Sequence, residues 1–230
     1  MNTVMREEKK FLINTEEFVR ARHLLNQVMI PDSHNGQNGY LIRSLYFDTV
    51  YDDDFFEKMD GVELRRKIRL RCYDPNSDFA MLEMKQKQGG YQMKRSLRMP
   101  KRDAERLIQG EYDVLLKYPE DFAKECYGFM HSKCYRPKAV IDYRRTAFIA
   151  KENKIRVTFD RDITATQSHF DIFSDKLLLN PVIDKFNTVL EVKFNGFLLE
   201  YIRELINGID KSELSVSKYI LGRGQSYTEY

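Results

Sequence analysis

Along most of this chain hydrophobic and polar residues alternate one by one, and short stretches of helical period interrupt the alternation. A side-chain period of two marks a strand with one polar and one apolar face. Met5–Ile13 places Phe11 and Ile13 on one face and Glu8 and Lys10 on the other. Leu41–Asp48 sets Leu41, Leu45 and Phe47 against Ser44, Tyr46 and Asp48. Leu64–Tyr73 is the sharpest case, with Ile68, Leu70 and Cys72 opposite Arg65, Lys67, Arg69 and Arg71. Met81–Lys87 opposes Leu82 and Met84 to Glu83, Lys85 and Lys87, and Tyr91–Arg98 opposes Tyr91, Met93 and Leu97 to Gln92, Lys94, Ser96 and Arg98. Lys154–Asp160 puts Ile155, Val157 and Phe159 against Lys154, Arg156, Thr158 and Asp160, and Thr188–Phe194 puts Leu190, Val192 and Phe194 against Glu191 and Lys193. In Ala139–Ile149 both faces carry apolar residues, and Arg144 and Arg145 fall on opposite sides. Eight strands, mostly antiparallel, are expected.

The helical period is clearest at Phe18, Ala21, Leu24, Leu25 and Val28, where Asn14 and Glu17 resemble a capping box with Asn in place of Ser or Thr. Shorter helices are expected over Asp52–Met59, Arg102–Ile108, Glu120–Ser132, Phe197–Asn207 and Val216–Leu221. Pro31–Gly39 reads as a loop and Gly89-Gly90 as a hairpin turn. Asp52-Asp53-Asp54 reads as a helix start favoured by the helix dipole.

An antiparallel sheet ordinarily solvates one face and covers the other with helices. A solvated face mixes signs, because adjacent like charges repel. Here the polar faces are mostly Lys and Arg, with isolated Glu and Thr, a pattern that a polyanionic ligand explains better than solvent does. Eight strands can also close into a barrel, and cationic faces turned inward would make it a basic tunnel. Arg forks and Lys point charges suit phosphate oxygens. Glu8, Glu83 and Glu191 among those cations make sense if a divalent metal sits between carboxylate and phosphate.

The length of 230 residues fits one large domain, or at most two small ones, and a single domain of residues 1–230 is expected. With 42% hydrophobic and 32% charged residues, 11 Gly and 6 Pro, the chain is neither disordered nor fibrous. The longest aliphatic run is Leu177-Leu178-Leu179, so no transmembrane helix is expected, and Met1–Lys10 lacks the apolar stretch of a signal peptide. The odd count of 3 Cys without a CxxC pair argues against a disulfide framework, and a reduced, cytoplasmic protein is expected. The net charge of +3 predicts no partner by itself, because 38 Lys and Arg nearly cancel 35 Asp and Glu. The 4 His form no HxH or HxxxH pair, and neither a GxxxxGK[ST] loop nor a GxSxG elbow is present. Cys72 lies on an apolar strand face, which makes a poor nucleophile.

Several stretches, in order, resemble the catalytic domain of the vacuolar transporter chaperone (VTC) polyphosphate polymerases. They are Glu8-Lys9-Lys10-Phe11, Ser44-Leu45-Tyr46-Phe47-Asp48-Thr49, Arg69-Leu70-Arg71, Leu82-Glu83-Met84-Lys85, Lys94-Arg95-Ser96 and Tyr143-Arg144-Arg145-Thr146-Ala147-Phe148. Arg156, then Phe159-Asp160, Leu190-Glu191-Val192-Lys193 and Ser217-Lys218-Tyr219 complete the series. The resemblance implies an α+β fold: an eight-stranded antiparallel β-tunnel of the triphosphate tunnel metalloenzyme (CYTH-like) superfamily, a closed barrel with a basic interior covered by helices. It also implies transfer of the γ-phosphoryl group of a nucleoside triphosphate to inorganic polyphosphate, with Mn2+ or Mg2+.

Carried over by motif, the catalytic cations are Lys10, Arg69, Arg71, Lys85, Arg145, Arg156 and Lys218. Lys94, Lys193, Tyr143 and Ser217 are substrate contacts, and Glu191 with Glu8 holds the metal. For Arg145 over Arg144 only the resemblance decides. CYTH relatives carry ExExK on the first strand, whereas here Arg6 takes the first position, which favours the polymerase branch. Two other readings stay open: a triphosphatase of the same fold, and a non-enzymatic polyanion binder. Because the cations alternate with core residues on several strands, an enclosed site that excludes nucleic acid is expected, with weak selectivity among nucleotides.

Overall fold

The computed structural model describes residues 6–89, 91–214 and 217–224. In chain order the first elements are β1 (Arg6–Asn14), α1 (Thr15–Val28), β2 (Ile30–Pro31), β3 (Tyr40–Asp48), α2 (Asp53–Met59), β4 (Leu64–Cys72), β5 (Phe79–Gln88) and β6 (Tyr91–Pro100). There follow α3 (Lys101–Ile108), α4 (Asp121–Ser132), β7 (Arg136–Ile149), β8 (Arg156–Thr166), β9 (Asn180–Pro181), β10 (Asn187–Asn195), α5 (Glu200–Asn207), β11 (Ser212–Glu213) and α6 (Lys218–Gly224). Short 3-10 turns cover Tyr112–Lys117 and Glu152–Lys154.

The strands form one 11-stranded sheet in the order β11-β1-β10-β8-β7-β3-β4-β5-β6, with β2 on β7 and β9 on β8. The expected closed eight-stranded barrel is therefore corrected on two counts. Three added strands, β2, β9 and β11, are only two residues long, too short for a period-two pattern to show. Nor does the path close: it ends at β11 and β6. Closure would pair the free edge of β1, but β11 occupies that edge through Phe11↔Glu213 and Leu12↔Ser212, and Leu214 N–H donates to the Lys10 carbonyl. At the other end β6 is exposed over Tyr91–Lys94 and carries Lys94, as unpaired edge strands often do.

The chain divides into two compact units, one of residues 1–41, 143–163 and 183–216, the other of residues 42–142, 164–182 and 217–230. Each unit has its own core. In the first, Phe18, Ala21 and Leu25 of α1 and Ile202 and Ile206 of α5 cover the apolar face of β8 and β10 at Val157, Phe159, Leu190 and Val192. In the second, Ala104 and Leu107 of α3 and Ala123, Cys126 and Met130 of α4 cover Ile68, Leu70, Leu82, Met84 and Leu97. Burying each Val, Leu, Ile, Phe or Met of these cores contributes roughly 1.5–3 kcal/mol, which fixes strand register, since a one-residue slip would turn the whole face outward.

The helix starts follow local chemistry. Asn14 Oδ1 accepts from Glu17 N at 2.8 Å, the forward half of the capping box. In α2 the cap comes from further upstream: Asp48 accepts from the N–H groups of Asp54 and Phe55, both at 2.9 Å, and Thr49 Oγ1 accepts from Asp53 N at 3.1 Å. Asp52 itself turns the chain at φ 60° and makes no capping bond.

Several boundaries differ from expectation. Leu24 and Val28 are exposed at the edge of the α1 stripe. Lys154 lies in a 3-10 turn at φ 49°, and β8 runs on to Thr166. Tyr91 and Met93 are exposed and lie outside the apolar cluster that α3 and α4 cover. α5 starts at Glu200, after a Gly196 turn at φ 74°. α6 extends past Leu221 to Gly224, and Val216 lies outside the described residues, as does Gly90 of the expected hairpin turn. Gly89 has φ 55° and Gln88 pairs with Tyr91, the geometry of a two-residue hairpin.

Candidate functional site

In the second unit the polar faces of β3 to β6 are matched across the strands in rows. Lys67, Lys85 and Lys94 stand directly opposite one another on β4, β5 and β6. The next row is Tyr46, Arg69, Glu83 and Ser96, and beyond it Ser44 faces Arg71. Glu83 is buried and gathers the surrounding cations. Arg69 binds it through Nε and Nη2, each at 2.7 Å, Arg71 Nη1 lies 3.6 Å away, and Lys94 pairs with its other oxygen. Burial alone would raise the Glu83 carboxyl, but Arg69, Arg71 and Lys94 outweigh it and hold the pKa down at about 2. Arg69 Nη1 also donates to the Tyr46 hydroxyl at 2.9 Å, and Arg71 Nε donates to Ser44 Oγ at 3.2 Å. Lys67 Nζ donates to Ser217 Oγ at 2.8 Å. Lys218, in the first turn of α6, is half-buried. Burial would raise the Tyr46 phenol, yet the charges of Arg69, Arg71 and Lys218 lower it. Arg95, between Lys94 and Ser96, points to the opposite face and pairs with Glu125 of α4.

In the first unit the polar face of β1 and β10 is a checkerboard, with Glu8 opposite Lys193 and Lys10 opposite Glu191. Lys10 Nζ lies 2.8 Å from Glu8 and 3.5 Å from Glu191, while Lys193 Nζ lies 3.0 Å from Glu191 and 4.0 Å from Glu8. Burial lowers both ammonium groups and both carboxylates raise them, yet Lys10 ends raised and Lys193 lowered. The asymmetry has a cause: Arg145 repels Lys193. Arg145 forms a fork with Asp160, Nε to Oδ1 at 2.6 Å and Nη2 to Oδ2 at 2.7 Å, and approaches Glu191 at 3.5 Å. Its guanidinium stands 5.3 Å over the ring of Tyr143. Burial works against the Arg145 charge, but Asp160 holds its pKa well above the ordinary value. Arg144 is exposed, so only Arg145 joins this group. Arg156 Nη2 donates to Asp32 at 2.7 Å and to the Tyr40 hydroxyl at 3.1 Å.

The family model of the VTC domain matches residues 5–227. The chain belongs to the VTC domain family. No curated protein matches it. Among solved structures, a candidate adenylyl cyclase from Hippeastrum, described as having a dominant triphosphatase activity, matches with a TM-score of 0.57 at 15% identity over 96% of each chain. A candidate adenylate cyclase from Bacillus halodurans matches with a TM-score of 0.52 at 14% identity over 93% of this chain and 95% of that one. Both likenesses show a common fold.

For this VTC domain, Glu8 and Glu191 give β1 and β10 oxygen donors of the kind a divalent cation takes. Glu8 and Glu191 share Lys10 and Lys193 as partners, so their carboxylates lie close together. Among the described residues no group of three or more His, Cys, Asp or Glu side chains could hold a metal by itself. One or two carboxylates completed by phosphate oxygens and water is the usual arrangement for Mg2+.

Some residues of these groups escaped the sequence reading. Asp32 lies in Pro31–Gly39, read only as a loop, yet it binds Arg156 and accepts from the N–H and Nδ1 of His34 at 3.1 and 2.9 Å. Burial would raise Asp32, but the His34 bonds and Arg156 lower it. The loop is fixed by Asn35, whose amide exchanges hydrogen bonds with the backbone of Ala147, and by Gly39 at φ 76°, where a Cβ would meet the Arg145 carbonyl oxygen at 2.4 Å. Asp160 had a visible signal, its place on the polar face of β8, but its pairing with Arg145 depends on a fold the period does not reveal. Among the described residues no helix is long and apolar enough to cross a membrane.

Proposed function

We propose that this VTC domain transfers the γ-phosphoryl group of a nucleoside triphosphate to the end of an inorganic polyphosphate chain, with Mn2+ or Mg2+. The observation that carries this reading is the unbroken row of Lys67, Lys85 and Lys94 on three adjacent strands. Cations directly opposite one another destabilise a sheet, and an oligophosphate offsets that cost. Arg69, Arg71, Lys85, Lys94 and Lys218 hold phosphate oxygens, with Ser217 as a neutral contact, and Glu83 pairs with both arginines. On the other unit Lys10, Arg145, Arg156 and Lys193 supply positive charge, Tyr143 supports Arg145, and Glu191 with Glu8 would hold the metal. When bound, the metal supplies charge neutralisation on the phosphoryl oxygens.

Phosphoryl transfer asks the protein mainly for positioning and electrostatic stabilisation. A terminal phosphate oxygen is already ionised near neutral pH, so the acceptor needs no general base. That agrees with side chains that are cations and salt-bridged carboxylates. The triphosphatase activity described for the Hippeastrum relative supports a second reading, in which water replaces polyphosphate as the acceptor.

Glu191→Gln separates catalysis from binding. The amide keeps the shape and packing of β10 but removes a metal ligand. Product formation with Mn2+ is expected to fall on the order of 100-fold or more, while nucleotide binding in EDTA persists. Undiminished turnover in the variant would refute the assignment of Glu191 to the metal, and a wild-type protein that binds triphosphate without turning it over would leave only a polyanion-binding module.

A further inference from the structure

Helix α6 is held at both ends by one short stretch of chain, residues 48–54. Asp48 is fully buried, and all four of its hydrogen bonds come from neutral donors: the N–H groups of Thr49, Asp54 and Phe55 at 2.7 to 2.9 Å, and the Tyr219 hydroxyl at 2.6 Å. At the far end of α6, Arg223 pairs with Asp52, which also binds Lys138 at 2.9 Å. Asp52 is held at φ 60°, a conformation that costs a non-glycine residue free energy and persists only where its surroundings enforce it. The Tyr219 ring stacks on Tyr46 at 5.1 Å and meets Phe55 edge-on at 6.2 Å. Tyr46 in turn accepts from Arg69.

A buried carboxylate is an expensive way to pack a tyrosine, because an apolar neighbour would serve for packing alone. What the carboxylate adds is direction. Successive residues of an α-helix are set about 100° apart around its axis, so fixing the Tyr219 hydroxyl also fixes the direction in which Lys218 leaves the helix. Ser217 Oγ accepts from Ile220 N at 3.3 Å and from Lys67, which sets the other side of the same turn.

We propose that Asp48 and Tyr219 are positioning residues, whose hydrogen bond orients α6 so that Lys218 and Arg69 present their charges to the same phosphate chain. The proposal rests on the assignment of Lys218 to phosphate. It accounts for two stretches that stand far apart in the sequence, Ser44–Thr49 and Ser217–Tyr219, as the two halves of one contact. It also gives Asp52 the role of clamping the far end of α6.

The test is a double-mutant cycle read by calorimetry, with inorganic tripolyphosphate as the probe in EDTA. Tyr219→Phe removes only the hydroxyl and keeps the ring stack. It is expected to weaken tripolyphosphate binding about tenfold in the otherwise unchanged protein, and less than about twofold when Lys218→Ala is already present. Asp48→Asn cannot satisfy all four donors and is expected to show the same dependence on Lys218. An equal loss from Tyr219→Phe in both backgrounds, or no loss in either, would overturn the proposal, because general damage to the fold does not depend on Lys218. If Lys218→Ala alone leaves affinity unchanged, the phosphate assignment of Lys218 fails and the positioning role falls with it.

Discussion

Glu83 shows how a single side chain reshapes a cationic face. It lies in the middle of Arg69, Arg71 and Lys94, so the cations that would grip phosphate are already arranged around an anion. Its carboxyl is held at about 2 against an ordinary 4.5. A lowered carboxyl adds stability above its unfolded pKa, and that stability is lost as pH falls through the folded one. In urea unfolding, wild type should therefore lose stability between pH 4.5 and pH 2, on the order of 3 kcal/mol, while Glu83→Gln lacks this component. Parallel pH dependence of the two proteins would show that Glu83 is not held by these cations. Asp54 behaves in the opposite sense. Burial, then the neighbouring Asp48, pushes its carboxyl up to about 8, and it pairs with the Tyr135 hydroxyl at 3.0 Å. It lies in the first turn of α2, where the sequence placed an acidic helix start. With a raised carboxyl, stability declines as pH climbs from about 4 to about 8. Thermal unfolding should show Asp54→Asn gaining on wild type from pH 5 to pH 9, and a constant difference would contradict the shift.

At the scale of elements, the row on β4, β5 and β6 is the part of the sheet assigned to phosphate. Lys85 stands between Lys67 and Lys94, so Lys85→Gln should weaken triphosphate binding by about 1.5–3 kcal/mol in calorimetry. Unchanged affinity in a folded variant would mean that the row is not a phosphate contact. Most long strands were legible because an apolar face opposes a polar one: the parity of Ile68, Leu70 and Cys72 against Lys67, Arg69 and Arg71 is the parity of the structure. The short edge strands were not. The two-residue β11 is built from Ser212 and Glu213, which have no apolar face to announce a strand. Asp32 could not be found, because its link to Arg156 spans 124 residues and leaves no local pattern. The carboxylates were legible as oddities, and only their partners explain them. Glu8 and Glu191 are matched to Lys193 and Lys10 by the antiparallel register of β1 and β10, which periodicity does not give.

For the whole molecule, membership of the VTC domain family and a tunnel-like sequence resemblance coexist with an 11-stranded sheet that stays open. Each unit keeps its own apolar core and its own charged face. The face of the second unit is rich in cations around Glu83, and that of the first alternates carboxylates and ammonium groups. The direct measurement is phosphorus NMR of the purified protein incubated with ATP and Mn2+. The account predicts loss of the γ-phosphate signal and growth of the signal of internal phosphates in a chain, with both changes abolished by EDTA. Growth of orthophosphate alone, at the rate at which the γ signal disappears, would contradict it and make the protein a triphosphatase.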